Sequence, residues 1–396
     1  MARTFIKNLN EISMKDFDAV GGKNSSLGEM MSNLTELGIN VPGGFAITSS
    51  AFDEFLSSSK IDKVISKELA NLNVENLSDL RRTGKKLRGL ILKTPLPQNL
   101  ILEIEQAWLG VSKSGKSFAV RSSATAEDLP DASFAGQQET FLNIDGFDNL
   151  IDAVRKVYAS LFTDRAISYR RLRNFKGSLS ISVGVQEMVR SDMGSSGVAF
   201  TLDTESGYKG SIFITSSYGL GEGIVQGTVN PDEFYVFKRA LEKNDFPIIK
   251  KNMGEKAKKM IFADNNLPGK SVKYVKVPKK EANEFSLTNN EIIELAKYAK
   301  TIEDHYEVPM DIEWAKDGKD KKIYILQARP ETVQSKVSNY FERYTLKEKG
   351  ELIVSGKSVG QKIGAGTAKV VKDVSEIKNI KPGDVLVTDM TDPDWE

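Results

Sequence analysis

Residues 118–144 read FAVRSSATAEDLPDASFAGQQETFLNI. Val120 and Arg121 suit the exit of a strand, Ser122 to Asp131 read as a polar loop, and Gly136 to Thr140 set a glycine turn ahead of amides and a hydroxyl. This is equipment for holding phosphate. A planar guanidinium grips phosphate oxygens with a charge-assisted fork, hydroxyls donate to them, and glycine lets the backbone approach. A structural arginine at a strand end would fit Arg121 equally well without this setting.

Working outward, Leu27, Met30, Met31, Leu34 and Leu37 fall on one helical face that Gly38 stops, and Gly44 to Thr48 follow as a short buried strand. Helix followed by strand argues for a mixed α/β fold. Pro95 and Pro97 introduce a helix through Leu100, Ile101, Ile104 and Trp108, and Leu150, Ile151, Val154, Val157, Tyr158 and Leu161 mark another. Ile181, Val183 and Val185 alternate as a strand does, and the turn at Asp192 to Gly197 into Val198 to Thr201 predicts a hairpin.

Lys238 to Phe285 is lysine-rich and weakly periodic, which predicts a solvated excursion, with Lys256 as a lysine that could instead reach a nucleotide phosphate. Thr288 and Glu291 form a capping box that opens a helix through Ile292, Leu295, Ala296, Ala299 and Ile302. Beyond Pro330 the texture changes to short β-type runs punctuated by Gly360, Gly364, Gly366 and Gly383, so a domain boundary is expected near Ser335 to Ser338.

Asp311 to Trp314 alternate acid and apolar, and Ile323 to Gln327 follow after the turn residues Asp317 and Gly318. A five-residue loop, Gly318 to Lys322, would set Glu313 opposite Gln327 and Asp311 opposite Arg329, all four on one face. Such a patch suits Mg²⁺ with phosphate: carboxylate and amide oxygens for the hard cation, a guanidinium for the anion. Asp311, Glu313 and Gln327 are the candidate metal ligands. An ordinary outward strand face with a fortuitous Asp–Arg pair is the plain alternative.

The 118–144 stretch, together with Val20-Gly-Gly-Lys23, Phe200 to Ser206 and Asp311 to Trp314, closely resembles the nucleotide-binding region of the phosphoenolpyruvate synthase (pyruvate, water dikinase) family. The resemblance covers essentially the whole chain. It implies an ATP-grasp-like domain of two subdomains over 1–335, subdivided near 110 and 200, followed at 336–396 by an incomplete β-rich swivel domain. It carries ATP contacts onto Lys23, Arg121, Gly136, Thr140, Gln186, Glu313, Gln327 and Arg329, with Arg121 and Arg329 stabilising charge on the transferring phosphoryl group. Gln186 to Val189 end a strand where the backbone could read an adenine edge, with Glu187 and Val189 among the contacts and Met188 and Val189 padding the ring. An ordinary core strand is the alternative there. Gly219, Gly221 and Gly223 are secondary phosphate candidates. Lys23 is no P-loop lysine, because Asn24 follows it and the Walker spacing is absent.

The reaction the resemblance implies converts ATP, pyruvate and water to AMP, phosphoenolpyruvate and phosphate through a phosphohistidine expected beyond Glu396. His305, the single histidine, reads instead as a helix-end residue. A nucleotide-binding module without turnover stands as the alternative, as do the related pyruvate, phosphate dikinase and rifampicin phosphotransferase. Partners are expected to be ATP and pyruvate, with a homodimer or a separate carrier and barrel portion.

The 396 residues suggest two or three domains, and 55 Lys+Arg against 54 Asp+Glu leave a net charge of +1. No global field favours nucleic acid or an anionic membrane. With no cysteine there is no disulfide, thiolate zinc site or thiol nucleophile. No signal peptide or run of about 18 apolar residues stands out, so a soluble cytoplasmic location is expected.

Overall fold

The computed structural model of the chain describes residues 4–124, 128–129, 132–133, 139–172, 180–243, 245–331, 345, 347–348, 350–351, 363–371 and 374–388. It opens with β1 (Ile6–Asn8), α1 (Phe17–Leu34) and β2 (Gly44–Ile47), then four helices: α2 (Ser49–Ser58), α3 (Asp62–Ala70), α4 (Leu77–Lys93) and α5 (Gln98–Val111). Next come β3 (Phe118–Ala124), the two-residue strands β4 (Asp128–Leu129) and β5 (Ala132–Ser133), β6 (Thr140–Ile144), α6 (Phe147–Ser160), α7 (Asp164–Leu172) and β7 (Ile181–Glu187). Among the described residues β1, β2, β7, β3 and β6 form, in that spatial order, an antiparallel sheet.

Helix periodicity builds the cover on this sheet. Leu150, Val154 and Val157 repeat at helical spacing and are fully buried beside Tyr158, whose ring lies 4.8 Å from that of Phe52. Leu87 and Ile91 of α4 and Leu100 and Ile104 of α5 join Phe118, Val120, Val183 and Val185 in the same core. Asn76 caps α4 by accepting from the backbone N–H groups of Ser78 and Asp79, satisfying two donors the helix leaves open.

The second sheet gathers β8 (Ser195–Phe200), β9 (Ser211–Tyr218), β10 (Asp232–Phe237), β11 (Ile248–Asn252), β14 (Met310–Lys316) and β15 (Ile323–Pro330), in the order β11-β10-β9-β8-β14-β15. Short helices α8 (Glu222–Val225), α9 (Lys238–Glu242) and α10 (Lys279–Ala282) and a separate hairpin of β12 (Lys258–Phe262) with β13 (Val272–Lys276) fill the connections. Helix α11 (Asn289–Tyr306) opens on the expected capping box and buries Ile292, Leu295, Ala296, Ala299 and Ile302 on this sheet. The apolar stripe of α1, Leu27, Met30 and Leu34, enters the same core. Gly38 ends that run with φ 88°, while Leu37 stays exposed.

Three expectations are corrected here. The predicted hairpin from Ile181 to Thr201 does not form: β7 pairs with β2 and β3, whereas β8 pairs with β9 and β14. The turn between them serves as a crossover, because Arg190 N–H donates to Asp317 Oδ2 (3.0 Å) and Gly318 N–H to the Arg190 carbonyl (3.0 Å), tying it to the β14–β15 turn. The strand expected to exit at Arg121 continues to Ala124, where pairing with β7 extends to Ile181.

The lysine-rich 238–285 stretch is ordered structure rather than a solvated excursion. Its lysine ammonium groups lie over rings, Lys251 Nζ over Phe285 at 4.7 Å and Lys258 Nζ over Tyr274 at 4.7 Å, so these charges rest on aromatic faces of the folded chain. Thr367–Val370 (β16) and Asp384–Val387 (β17) form a parallel pair. The boundary expected near Ser335 to Ser338 lies outside the described residues. No helix among the described residues is long and apolar enough to cross a membrane.

Candidate functional site

The two sheets meet along α1, and the meeting depends on its first turn. At Gly21 the backbone takes φ 73° and ψ 170°, breaking the helix so that Gly22 onward starts afresh against β3. Lys23 Nζ then donates to the Ser122 carbonyl at 3.3 Å, and Asn24 N–H to Ser123 Oγ at 3.2 Å. One helical turn later Ser26 Oγ donates to the Ala328 carbonyl at 2.6 Å, reaching the second sheet. Helix α1 therefore fixes β3 and β15 relative to each other.

Across that seam Arg121 leaves β3 and enters the second sheet. Its guanidinium donates to Gln327 Oε1, to Gln186 Oε1 at 3.4 Å and to the Leu326 carbonyl at 3.4 Å, and lies 3.5 Å from Glu313. The residue is 8 % exposed, and among the described residues its Nε–H has no hydrogen-bond partner. A buried cation that keeps an unused donor, with amide and carbonyl oxygens and only one carboxylate around it, suits an anion.

Glu313 pairs with Gln327 and Asp311 with Arg329 as expected from sequence, but not through a five-residue loop: the strands close at Lys316 and Ile323, and a bulge between Glu313 and Trp314 restores the register. Arg329 donates through Nε to Asp311 Oδ2 at 2.9 Å, and its Nη2 lies 2.8 Å from the same oxygen. Burial pushes the Asp311 carboxyl up from its ordinary range, and the Arg329 guanidinium pulls it back. Asp311, Glu313 and Gln327 offer only oxygen donors, which fits a hard divalent cation. Each already faces an arginine, so such a cation would take over contacts that guanidinium groups now make. Among the described residues no cluster of three or more His, Cys, Asp or Glu forms a site on its own.

The remaining candidates are spread along the seam. Thr140 sits beside Arg121 in register on β6 and is exposed. Glu187 pairs with Lys116 at 2.8 Å, and its N–H donates to the Gly43 carbonyl. Met188 N–H donates to Ser117, and the Val189 carbonyl accepts from Ser191, so the backbone expected to read adenine is largely occupied in the protein. Met188 packs with Ala119, Leu220 and Met260 between the first sheet and β12, and Val189 is buried. Gly219 lies against the Met260 backbone, and Gly221 precedes α8. Gly136 lies outside the described residues.

Lys256 is not a phosphate lysine. It is fully buried, 2.5 Å from Asp232, with its Nζ also donating to Gly254. His305 bridges instead to Glu29 at 3.1 Å, linking α11 to α1. Sequence reading missed Asn24, which is wholly buried beside Arg121. An asparagine directly after Gly-Gly-Lys, the third residue after the break at Gly21, was the available signal.

Residues 17–349 match the family model for the pyruvate phosphate dikinase, AMP/ATP-binding domain. The chain is 55 % identical over 403 residues to phosphoenolpyruvate synthase of Neisseria meningitidis, covering 100 % of this chain and 51 % of that protein. It is 54 % identical to phosphoenolpyruvate synthase of Pseudomonas aeruginosa (99 % of this chain, 50 % of that protein) and 53 % identical to that of Escherichia coli (98 % and 49 %). The chain thus spans about half the length of the curated relatives it matches. The match over most of its length places this chain in the pyruvate phosphate dikinase AMP/ATP-binding domain family.

Proposed function

We propose that this chain binds ATP with Mg²⁺ in an ATP-grasp-like cleft between its two sheets and is the phosphoryl-donating part of a phosphoenolpyruvate synthase. The observation that carries the reading is Arg121, buried and reaching from one sheet to Gln186, Gln327 and Glu313 with its Nε–H unpaired. The overall reaction would take ATP, pyruvate and water to AMP, phosphoenolpyruvate and phosphate, by way of a phosphohistidine on a carrier domain. The parallel strands Thr367–Val370 and Asp384–Val387 support residues 336–396 as the start of that carrier. A net charge of only +1 and the lack of cysteine suit a cytoplasmic enzyme.

Within this chain, Arg121 and Arg329 would hold phosphate oxygens and stabilise charge as the phosphoryl group transfers, with Lys23 beside them. Glu313, Gln327 and Asp311 would hold the cation, which when bound neutralises phosphate charge. Met188 and Val189 would pad the adenine.

Calorimetry tests this directly. Arg329→Ala should weaken ATP binding by about 1.5–3 kcal/mol, the worth of a charged hydrogen bond. Glu313→Ala should remove the dependence of binding on Mg²⁺. Equal ATP affinity in wild type and both variants, with and without Mg²⁺, would remove the assignment.

A further inference from the structure

We propose that Asn24 is a positioning residue for Arg121, supplying the carbonyl oxygen that the Arg121 Nε–H takes when the guanidinium turns from its protein partners to a nucleotide phosphate. The inference rests on the nucleotide-binding reading above.

Asn24 is wholly buried, and its polar atoms divide unequally. Its Nδ2 donates to the Val20 carbonyl at 3.1 Å and to Ser182 Oγ at 3.1 Å. A backbone carbonyl only accepts, so Val20 fixes which end of the amide is nitrogen. The other end, Oδ1, is buried with no donor among the described residues. Buried polar atoms are seldom left so, and Arg121, which meets the same Gly184 surface, has an orphan donor of its own.

Gly184 brings the two together. It pairs with Arg121 across the β3–β7 ladder, and a Cβ built on it would lie 2.4 Å from Asn24 Oδ1 and 3.5 Å from Arg121 Cγ. No side chain separates the two groups at that point, and none could be added without displacing the amide. At present the Arg121 terminal nitrogens are drawn toward Gln327, Gln186 and Leu326, leaving Nε–H unused. A phosphate drawing those nitrogens away frees the side chain to pivot about its stem. Nε–H to Asn24 Oδ1 then satisfies both orphans and fixes the plane of the fork.

The test compares ATP and adenosine binding, because Arg121 acts on phosphate alone. Asn24→Ala should weaken ATP about tenfold, as for the loss of one hydrogen bond to a charged group, and leave adenosine unchanged. Asn24→Asp keeps an acceptor oxygen at Gly184 and should retain ATP affinity, although it loses the donors to Val20 and Ser182. A merely structural asparagine predicts the reverse, with the aspartate as damaging as the alanine and both ligands weakened alike. Gly184→Ala, which crowds Oδ1, should reproduce the selective loss if Asn24→Ala fails to fold.

In a double-mutant cycle, Asn24→Ala should add nothing once Arg121 is alanine, yet add its full effect to Arg329→Ala. Unchanged ATP affinity in Asn24→Ala, with Arg121→Ala weakened, overturns the positioning role alone. A wild-type chain that binds no ATP overturns the nucleotide reading itself.

Discussion

Asp232→Ala is expected to lower the free energy of unfolding by about 3–5 kcal/mol, the cost of stranding a buried charge. Both members of the Asp232–Lys256 pair are fully buried. Asp232 accepts from Lys256 Nζ (2.5 Å), Gly254 N–H (3.0 Å), Ser286 N–H (2.8 Å) and Ser286 Oγ (2.8 Å), so one carboxylate ties the start of β10 to the loop after β11 and to the approach to α11. Its removal leaves the Lys256 ammonium with the Gly254 carbonyl at 3.0 Å and orphans the backbone donors. Lys256→Met should cost less, because Asp232 keeps three neutral donors and methionine fills much of the volume. Urea titrations of the two variants read the difference. A loss below about 1 kcal/mol for Asp232→Ala would show the pair to be solvated. The same Lys256→Met protein should bind ATP as the wild type does, since its lysine faces the core.

That lysine marks where sequence reading ran short. Local signals were legible wherever one element supplies its own evidence. The Thr288–Glu291 box opened α11, the Leu150 to Tyr158 spacing gave α6, and the Asp311 to Arg329 alternation gave a hairpin whose register placed Glu313 against Gln327. Partner choice was not legible in the same way. Ile181 to Val185 and Val198 to Thr201 look like neighbours because a glycine turn joins them. The bonds that send them to separate sheets come from Asp317 and Gly318, more than a hundred residues on. Likewise the 238–285 lysines read as a solvated excursion, because the rings beneath Lys250 and Lys251 are distant in sequence, Tyr235 before the stretch and Phe285 at its far end.

At the site, residue types pointed to chemistry and the structure added reach. Arg121 was readable as a phosphate arginine from its hydroxyl-rich setting. Its contacts with Leu326 and Gln327, some two hundred residues away, depend on how α1 sets the sheets. Asn24 was passed over because its neighbour Lys23 carries the charge, and a buried amide shows its worth only through the donors and acceptors around it.

Gly21→Ala is expected to cost about 2–6 kcal/mol of stability, combining roughly 1–3 kcal/mol for backbone that only glycine adopts readily with about 1–3 kcal/mol for overpacking. At φ 73° and ψ 170° an alanine is strained whatever surrounds it. Its Cβ would also lie 2.3 Å from the Ser123 carbonyl oxygen, a backbone atom held in the β3–β7 ladder that cannot rotate away. Relief has to come from α1, whose first turn would lift from β3 and carry Lys23 from Ser122 and Asn24 from Ser123 and Ser182. The apolar stripe of α1 would still hold Leu27, Met30 and Leu34 against the second sheet, so the damage should concentrate at the seam. Hydrogen exchange should therefore rise first at Asn24 and along Ser122 to Ala124, while α11 keeps its protection. On the proposed reading ATP affinity should fall with it, because Arg121 and Lys23 lose their common footing. A Gly21→Ala protein as stable as the wild type, with an unchanged exchange pattern, would mean that α1 can start on β3 without the glycine.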